Sequence, residues 1–311
     1  MMTKRITGKT QLIGLLATPI SHSLSPTMHN EAFVKVGLDY VYLAFDCGNE
    51  QLAEVVSGFR SLKLRGFNVS MPNKSQILKY LDKLSPAAEM IGAVNTVVNE
   101  DGVLTGYNTD GMGFMCSIKE VGVDVIGKKV TLIGAGGAAA SIAIQTALDG
   151  VAELSIFNRN DIFFHVGEQI VKDINEKTKC SARMFSLEDT VNLRAEIENS
   201  VLLIDASPVG MEHLENLSNI TDPTLLRPEL VVADIVYSPK KTKLLKLAES
   251  RGCHIINGLG MMIWQGAKAF ELWTGQEMPV DYIKELPELK ELECSFKKDT
   301  CFIQTKYQFY S

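Results

Sequence analysis

No CxxC pair, no cysteine–histidine cluster, no basic run and no internal repeat occurs in this 311-residue chain. Each absence closes off a class of function. The six cysteines (47, 116, 180, 253, 294, 301) are scattered, which fits neither zinc spacing nor a disulfide framework and reads as free thiols in a reducing compartment. No metal is expected. With a formal charge of -6 and no basic stripe, nucleic acid is not an expected partner, and any anion site must be local. The opening residues Met1-Met2-Thr3-Lys4-Arg5 lead into no apolar signal core, so a cytoplasmic location is expected. One stretch imitates a membrane span, because residues 130–148 carry no charge. Gly134, Gly136 and Gly137 break it, and Thr131, Ser141, Gln145 and Thr146 make it polar, so it reads as a strand, a tight turn and a buried helix. No membrane partner is expected.

What remains is a globular composition, 46% hydrophobic and 22% charged, on a chain long enough for two domains. Strands are predicted at 11–16, 40–45 and 66–69, with helices at 26–36 and 51–62 between them. Pro26 suits a first helical turn, with Ser25 as its N-cap. Asp101-Gly102 between 96–99 and 103–107 signals a hairpin, and a helix follows at 110–120. A second series opens at 129–133, with a helix from Gly137, a strand at 153–157 and a helix over about 163–177. Further strands are predicted at 201–205, 230–234 and 254–257, with helices at 241–251 and 260–272. Strands separated by helices imply an α/β protein with parallel sheets and right-handed crossovers. The boundary between the two domains falls near residue 111, and a return crossing near 260 brings the last helices back to the first domain.

Gly134-Ala135-Gly136-Gly137-Ala138 lies directly between a strand and a small-residue helix. There glycine permits a tight turn and close approach of a pyrophosphate, and Ala135, Gly136, Gly137 and Ala138 are the expected cofactor contacts. At the end of the next strand stand Asn158, Arg159 and Asp161. An acidic residue there accepts bonds from the adenosine ribose of NAD, whereas an arginine favours the 2′-phosphate of NADP, so the local signal is mixed.

Reduction of a ketone needs a proton for the new alkoxide as well as a hydride. A lysine ammonium can supply that proton, and a neighbouring carboxylate can orient it. Lys74, after Val69-Ser70-Met71-Pro72-Asn73, and Asp110, in Asn108-Thr109-Asp110-Gly111, are the candidate pair. Hydroxyls in Ser21-His22-Ser23-Leu24-Ser25-Pro26 follow the first strand and suit a polyhydroxylated or carboxylate substrate. Ser25 can both cap and bind, and His22 reads as a polar loop residue. Asn68, Ser70 and Asn95 also fall at strand or loop ends, where ligand groups gather in open α/β sheets.

With these residues the chain resembles the shikimate dehydrogenase family over about residues 11–285. The matching stretches are Pro19 through Pro26, Asn68 through Lys74, Gly92-Ala93-Val94-Asn95-Thr96, Gly106 through Gly111 and Gly134 through Ala138. Later come Val236-Tyr237-Ser238-Pro239 and Gly258-Leu259-Gly260-Met261, followed by Trp264-Gln265. The resemblance implies an amino-terminal α/β substrate domain (1–110 with 261–311), a Rossmann domain (111–260) and a cleft between them. It implies reversible NAD(P)-dependent reduction of 3-dehydroshikimate to shikimate, with Lys74 and Asp110 as the catalytic pair. Ser23, Ser25, Ser70, Asn95 and Gln265 would bind substrate, with Asn68 and Tyr237 contributing, and Gly258 would join the cofactor contacts.

The loop Asn158-Arg159-Asn160-Asp161-Ile162-Phe163 resembles the quinate/shikimate dehydrogenase branch. Strict NADP users carry Asn-Arg-Thr and a second arginine there, whereas Asn160 and Phe163 stand in this chain. NAD is therefore the expected preference, NADP use remains open, and quinate joins shikimate as an expected substrate. Pro208 stands where that branch tends to carry a lysine. Residues 287–311, with Cys294, Cys301 and Tyr307-Gln308-Phe309-Tyr310, match nothing in the family and are expected to form a poorly ordered tail. A homodimer is left open. Two rivals use the same folds: a non-catalytic quinate or shikimate sensor, which the intact Lys74 and glycine turn argue against, and a folate dehydrogenase, which the Ser23/Ser25 loop argues against.

Overall fold

Apolar strand segments punctuated by glycine-rich and polar turns build two separate six-stranded sheets in a computed structural model that describes residues 6–294. The first sheet contains β1 (Gln11–Ala17), β2 (Tyr40–Asp46), β3 (Gly66–Val69), β4 (Lys83–Leu84), β5 (Thr96–Glu100) and β6 (Val103–Tyr107). Helices α1 (Ser25–Val36), α2 (Leu52–Ser61) and α3 (Pro86–Ile91) connect them, and α4 (Asp110–Glu120) leads out. The second sheet contains β7 (Lys129–Ile133), β8 (Glu153–Asn158), β9 (Ser181–Ser186), β10 (Leu202–Asp205), β11 (Val231–Asp234) and β12 (His254–Ile256). Its crossovers carry α5 (Gly137–Asp149), α6 (Ile162–Lys177), α7 (Thr190–Glu198) and α8 (Lys243–Ser250), and the chain closes with α9 (Leu259–Thr274), α10 (Val280–Lys284) and α11 (Pro287–Cys294).

The second sheet is parallel throughout, in the order β12-β11-β10-β7-β8-β9. Renumbered from β7, that is the 3-2-1-4-5-6 order of dinucleotide-binding folds, with its switch point between β7 and β10. Both faces of the central strands are covered, which explains why β7 and β10 read as continuous apolar runs rather than alternating ones.

The first sheet is mixed: it contains the expected 96–107 hairpin, and the pairing of that hairpin's first strand with β3 is also antiparallel. Its order is β2-β1-β3-β5-β6-β4, and β5 runs antiparallel to both neighbours. The cause is the Asp101-Gly102 turn: both residues sit at positive φ (51° and 90°), which closes a two-residue hairpin and reverses the chain. The expected capping role of Ser25 is corrected. Helix α1 begins at Ser25 itself, and Leu24 occupies the cap position without a side-chain bond. The Ser25 hydroxyl lies near that of Tyr42, whose phenol it lowers slightly.

Helix α9 returns to the first sheet. The Trp273 indole donates to the Val97 carbonyl (2.9 Å), and Arg65 Nε donates to the Trp273 carbonyl (2.7 Å). Phe33, Tyr42, Phe270 and Trp273 are fully buried there, each aromatic contributing about 2–3 kcal/mol of apolar burial. Where α9 crosses α4, a Cβ on Gly113 would lie 2.5 Å from the Gln265 backbone nitrogen, so only glycine allows the contact. Among the described residues no helix is long and apolar enough to cross a membrane. The expected poorly ordered tail over 287–311 is corrected for its first part, because 287–294 form α11 and Leu289 is buried in the core. Cys301 and the aromatic end lie outside the described residues.

Candidate active site

Lys74 is fixed by its backbone before its side chain does anything. Ahead of it, Ser70 N donates to Leu16 O (2.9 Å), Thr18 N to Met71 O (3.1 Å) and Asn73 N to Ser70 O (2.9 Å). The Asn73 amide donates to Cys47 O (2.7 Å), and Val94 N donates to the carbonyl of Lys74 itself (2.8 Å). Asp110 is the first residue of α4, where the helix dipole favours negative charge. The two side chains meet, with Lys74 Nζ 2.7 Å from Asp110 Oδ2, both partly exposed.

Asn95 locks this pair. Its Nδ2 donates to Asp110 Oδ1 (2.8 Å), and its Oδ1 accepts from Thr109 N (2.8 Å), Thr109 Oγ1 (3.1 Å) and Thr96 Oγ1 (3.0 Å). Those donors decide which way the amide faces. Asn68 stands behind it, donating to Asn95 O and to Thr96 Oγ1 (both 3.0 Å), while its own Oδ1 accepts from the Tyr42 hydroxyl (2.7 Å). Tyr42 is fully buried, and burial pushes its phenol far above the ordinary range, against a smaller opposing effect of the Ser25 hydroxyl. A polar chain thus runs from the core through Asn68 and Asn95 to the lysine–carboxylate pair.

Of the expected substrate residues, Asn68 and Asn95 lie on this chain, and Ser25 stands near its Tyr42 end. Ser23 Oγ accepts from Ser25 N (3.2 Å), and Ser70 follows β3 directly. Gln265 abuts Gly113, one turn along α4 from Asp110, with its amide donating to Met262 O (2.9 Å). Tyr237 is elsewhere, on the second sheet's side beside the glycine turn.

At that turn Gly134 has φ +112° and donates to Phe157 O (2.7 Å). A Cβ on Gly136 or Gly137 would meet nothing within 4 Å, so packing does not demand glycine at either position. Helix α5 begins there with no side-chain cap, leaving first-turn amides for an anion. Two cavities flank the turn and share Gly136, Ala206, Ser207 and Pro208. One, of about 430 Å³, also takes in Gly137, Ala138 and Tyr237; the other, of about 330 Å³, takes in Ala135, Asn158, Arg159, Asp161 and Asn219. Two lobes joined across an uncapped helix start fit a dinucleotide. Gly258 belongs to neither lobe: a Cβ there would fall 1.8 Å from Ile235 O, and its N–H is committed to Val236 O (3.1 Å), so packing alone demands glycine.

In the second lobe Asp161 caps α6, its Oδ1 accepting from Phe163 N and Asn158 Nδ2 (both 2.9 Å). Arg159, exposed in the same lobe, donates to Asn219 Oδ1 (3.4 Å). Asn219 Nδ2 donates to Asp205 Oδ2 (2.9 Å) and Ser207 Oγ (2.8 Å), while Ser207 N donates to Asp205 Oδ1 (3.0 Å). Burial pushes the Asp205 carboxyl up, and its bonds to Ser207 and Asn219, with the charge of Arg159, pull it back. Beside it on the sheet, Asp234 is pushed to about 7 by burial and by the charge of Asp205, despite bonds from the Thr242 hydroxyl (2.7 Å) and Val236 N (2.9 Å). Sequence reading missed Asp205 and Asn219 as site residues; the available signal was an aspartate at the carboxyl end of a predicted strand. No metal-binding group of histidine, cysteine or carboxylates occurs among the described residues.

Comparison with known proteins places this geometry. A profile of the shikimate dehydrogenase substrate binding domain matches residues 15–97, and one of the shikimate 5'-dehydrogenase C-terminal domain matches 258–286. A Listeria monocytogenes protein (serotype 4b, strain F2365) named shikimate dehydrogenase (NADP(+)) is 63% identical over 285 residues, covering 92% of this chain and 98% of the relative. The crystal structure of shikimate 5-dehydrogenase from Listeria monocytogenes with shikimate and NAD superposes with a TM-score of 0.89 at 63% identity, over 91% of this chain and 98% of that one. Quinate dehydrogenase from Corynebacterium glutamicum in complex with NAD gives a TM-score of 0.79 at 28% identity, over 89% and 98%.

Proposed function

The chain belongs to the shikimate dehydrogenase family, and from that premise we propose that it interconverts 3-dehydroshikimate and shikimate with NAD(P), and 3-dehydroquinate and quinate as a second pair. The observation that carries this reading is the partly exposed Lys74–Asp110 pair at 2.7 Å, held by Asn95. In the reducing direction the Lys74 ammonium donates a proton to the developing alkoxide, and Asp110 stabilises the charge and orientation of the lysine. In the oxidising direction the same pair accepts the hydroxyl proton. A bound nicotinamide dinucleotide supplies or takes up the hydride. Ser23, Ser25, Ser70 and Gln265 hold the ring hydroxyls and carboxylate, and Asn95 shares its amide between substrate and Asp110. In this reading residues 1–110 with 261–311 form the substrate domain and 111–260 the cofactor domain.

We assign the cofactor preference to NAD. Arg159, the cation in the adenosine lobe, is already engaged by Asn219 and lies near the carboxyls of Asp205 and Glu188. Asp161 sets a carboxylate in the same lining as Arg159, and Phe163 offers no second cation. A 2′-phosphate would therefore meet one cation that is already engaged and one carboxylate. The Listeria relative named for NADP(+) and the Listeria complex holding NAD make both cofactors the necessary comparison. Steady-state oxidation of shikimate and quinate with NAD and with NADP tests each part. No turnover of shikimate with either cofactor would overturn the reaction, and a higher kcat/KM with NADP would overturn the preference.

A further inference from the structure

Arg159 is aimed by something it does not touch. Its guanidinium donates to Asn219 Oδ1 at 3.4 Å, and that oxygen faces Arg159 because the other end of the amide is spoken for. Asn219 Nδ2 donates to Asp205 Oδ2 at 2.9 Å and to Ser207 Oγ at 2.8 Å. An ionised carboxylate only accepts, so Asp205 fixes the amide with its NH2 inward and its oxygen outward. Asp205 itself is 1% exposed at the end of β10, and Ser207 N holds its other oxygen at 3.0 Å.

Resting on the cofactor reading above, we propose that Asp205 and Asn219 are specificity-determining positioning residues: they hold the exposed Arg159 guanidinium on the Asn219 oxygen within the lobe, where it is withheld from a 2′-phosphate. Neither needs to touch the cofactor's adenosine ribose. Asp205→Asn would keep one oxygen for Ser207 N and present an NH2 toward Asn219. The Asn219 amide could then turn, setting its NH2 against Arg159 and releasing the guanidinium within the lobe. Removing the carboxylate charge acts in the same direction. Other charges near Arg159 are Glu188, whose carboxyl is held low chiefly by the Ser186 hydroxyl and in part by Arg159, and Asp161, which is bonded to Asn158 and to the α6 backbone. Both would stay in place, so the effect belongs to the buried link.

The test is a cycle of variants: wild type, Asp205→Asn, Arg159→Ala and the double variant, each assayed with shikimate and both cofactors. The readout is the NADP-to-NAD ratio of kcat/KM. Asp205→Asn is expected to raise that ratio about tenfold, as one charge-assisted bond to phosphate would, and to leave it unchanged in the Arg159→Ala background. Asn219→Ala cuts the same link without altering the buried carboxylate, carries the same expectation, and decides the matter should Asp205→Asn fold poorly. An unchanged ratio in a folded variant, or an equal rise with and without Arg159, overturns the proposal. The change is measured against the wild-type ratio, so a wild type that prefers NADP would sink the earlier preference and leave this test intact.

Discussion

The two halves of the candidate site are built from opposite materials. Around Lys74 and Asp110 the work is done by side chains, each oriented by another: Asn95 on Asp110, Asn68 on Asn95, Tyr42 on Asn68. Around the glycine turn it is done by backbone and empty space, with Gly136 and Gly137 facing nothing within 4 Å and α5 starting uncapped. On the proposed reading the first half holds a proton at one atom, which needs fixed side-chain geometry, and the second admits a pyrophosphate, which needs side chains out of the way. Damage to each half should therefore separate cleanly in kinetics.

The largest effect should come from the proton pair. Lys74→Ala is expected to lower kcat by about a thousandfold, within the usual range for a general acid, while cofactor affinity measured by fluorescence titration stays within about twofold. Near-normal turnover would remove Lys74 from the mechanism. The reverse pattern should follow in the other half. Gly137→Val places branches where the structure has only space, so stability should change by no more than about 1 kcal/mol. Cofactor affinity should nonetheless fall about a hundredfold, because the backbone can no longer approach the phosphates. A stable variant that binds NAD normally would refute the assignment of the turn. Gly258→Ala makes the contrasting control: it should destabilise the fold through Ile235 O rather than weaken cofactor contacts.

A smaller effect tests whether the polar chain transmits orientation. Tyr42→Phe keeps the ring and removes the donor to Asn68 Oδ1, leaving that oxygen buried without its 2.7 Å partner. The expected cost is about 1–3 kcal/mol in denaturant unfolding. A fall in kcat of roughly tenfold at unchanged cofactor KM should accompany it if Asn68 and Asn95 set the position of Asp110. Loss of stability with kcat intact would make the chain structural only.

The same contrast explains what the sequence disclosed. Lys74, Asp110 and the glycine turn were legible because short local strings carry them, and the second sheet was legible because strand and helix alternate. The antiparallel β5 was half-legible: Asp101-Gly102 announced the hairpin, but nothing local said that β5 would also pair with β3. Strand β9 escaped because it is an edge strand with mostly partial burial over Ser181–Ser186. The supporting groups were harder still. Tyr42 reads as an ordinary strand residue, and a buried carboxylate such as Asp205 runs against the usual placement of aspartate. Asn219 joins the site through bonds to residues 12, 14 and 60 positions away. Links of that kind are made by folding, and no spacing rule announces them.

The halves should also differ in sign against acid. His29 is fully buried among aromatics, stacked on Tyr42 at 4.6 Å, with neither ring nitrogen hydrogen-bonded, and burial lowers it to about 3. The unfolded chain then takes up the proton first. Stability from His29 is present above about 6.5 and is lost as pH falls toward 3, at up to about 1.4 kcal/mol per pH unit. Asp234 in the second sheet works the other way. Its carboxyl is raised to about 7 by burial and by Asp205, so the folded chain binds the proton more tightly; its favourable contribution is present at low pH and is lost as pH rises from 3.8 through 7. His29→Phe should therefore flatten the acid side of a plot of urea midpoint against pH, leaving pH 8 nearly unchanged. Asp234→Asn should raise the midpoint at pH 8, with a smaller gain at pH 5.5. Both tryptophans lie in α9 against the first sheet, so their fluorescence reports the His29 side directly, and circular dichroism adds the second sheet. Parallel pH responses from the two variants would mean that one shared network, rather than two opposed burials, governs the pH response of this fold.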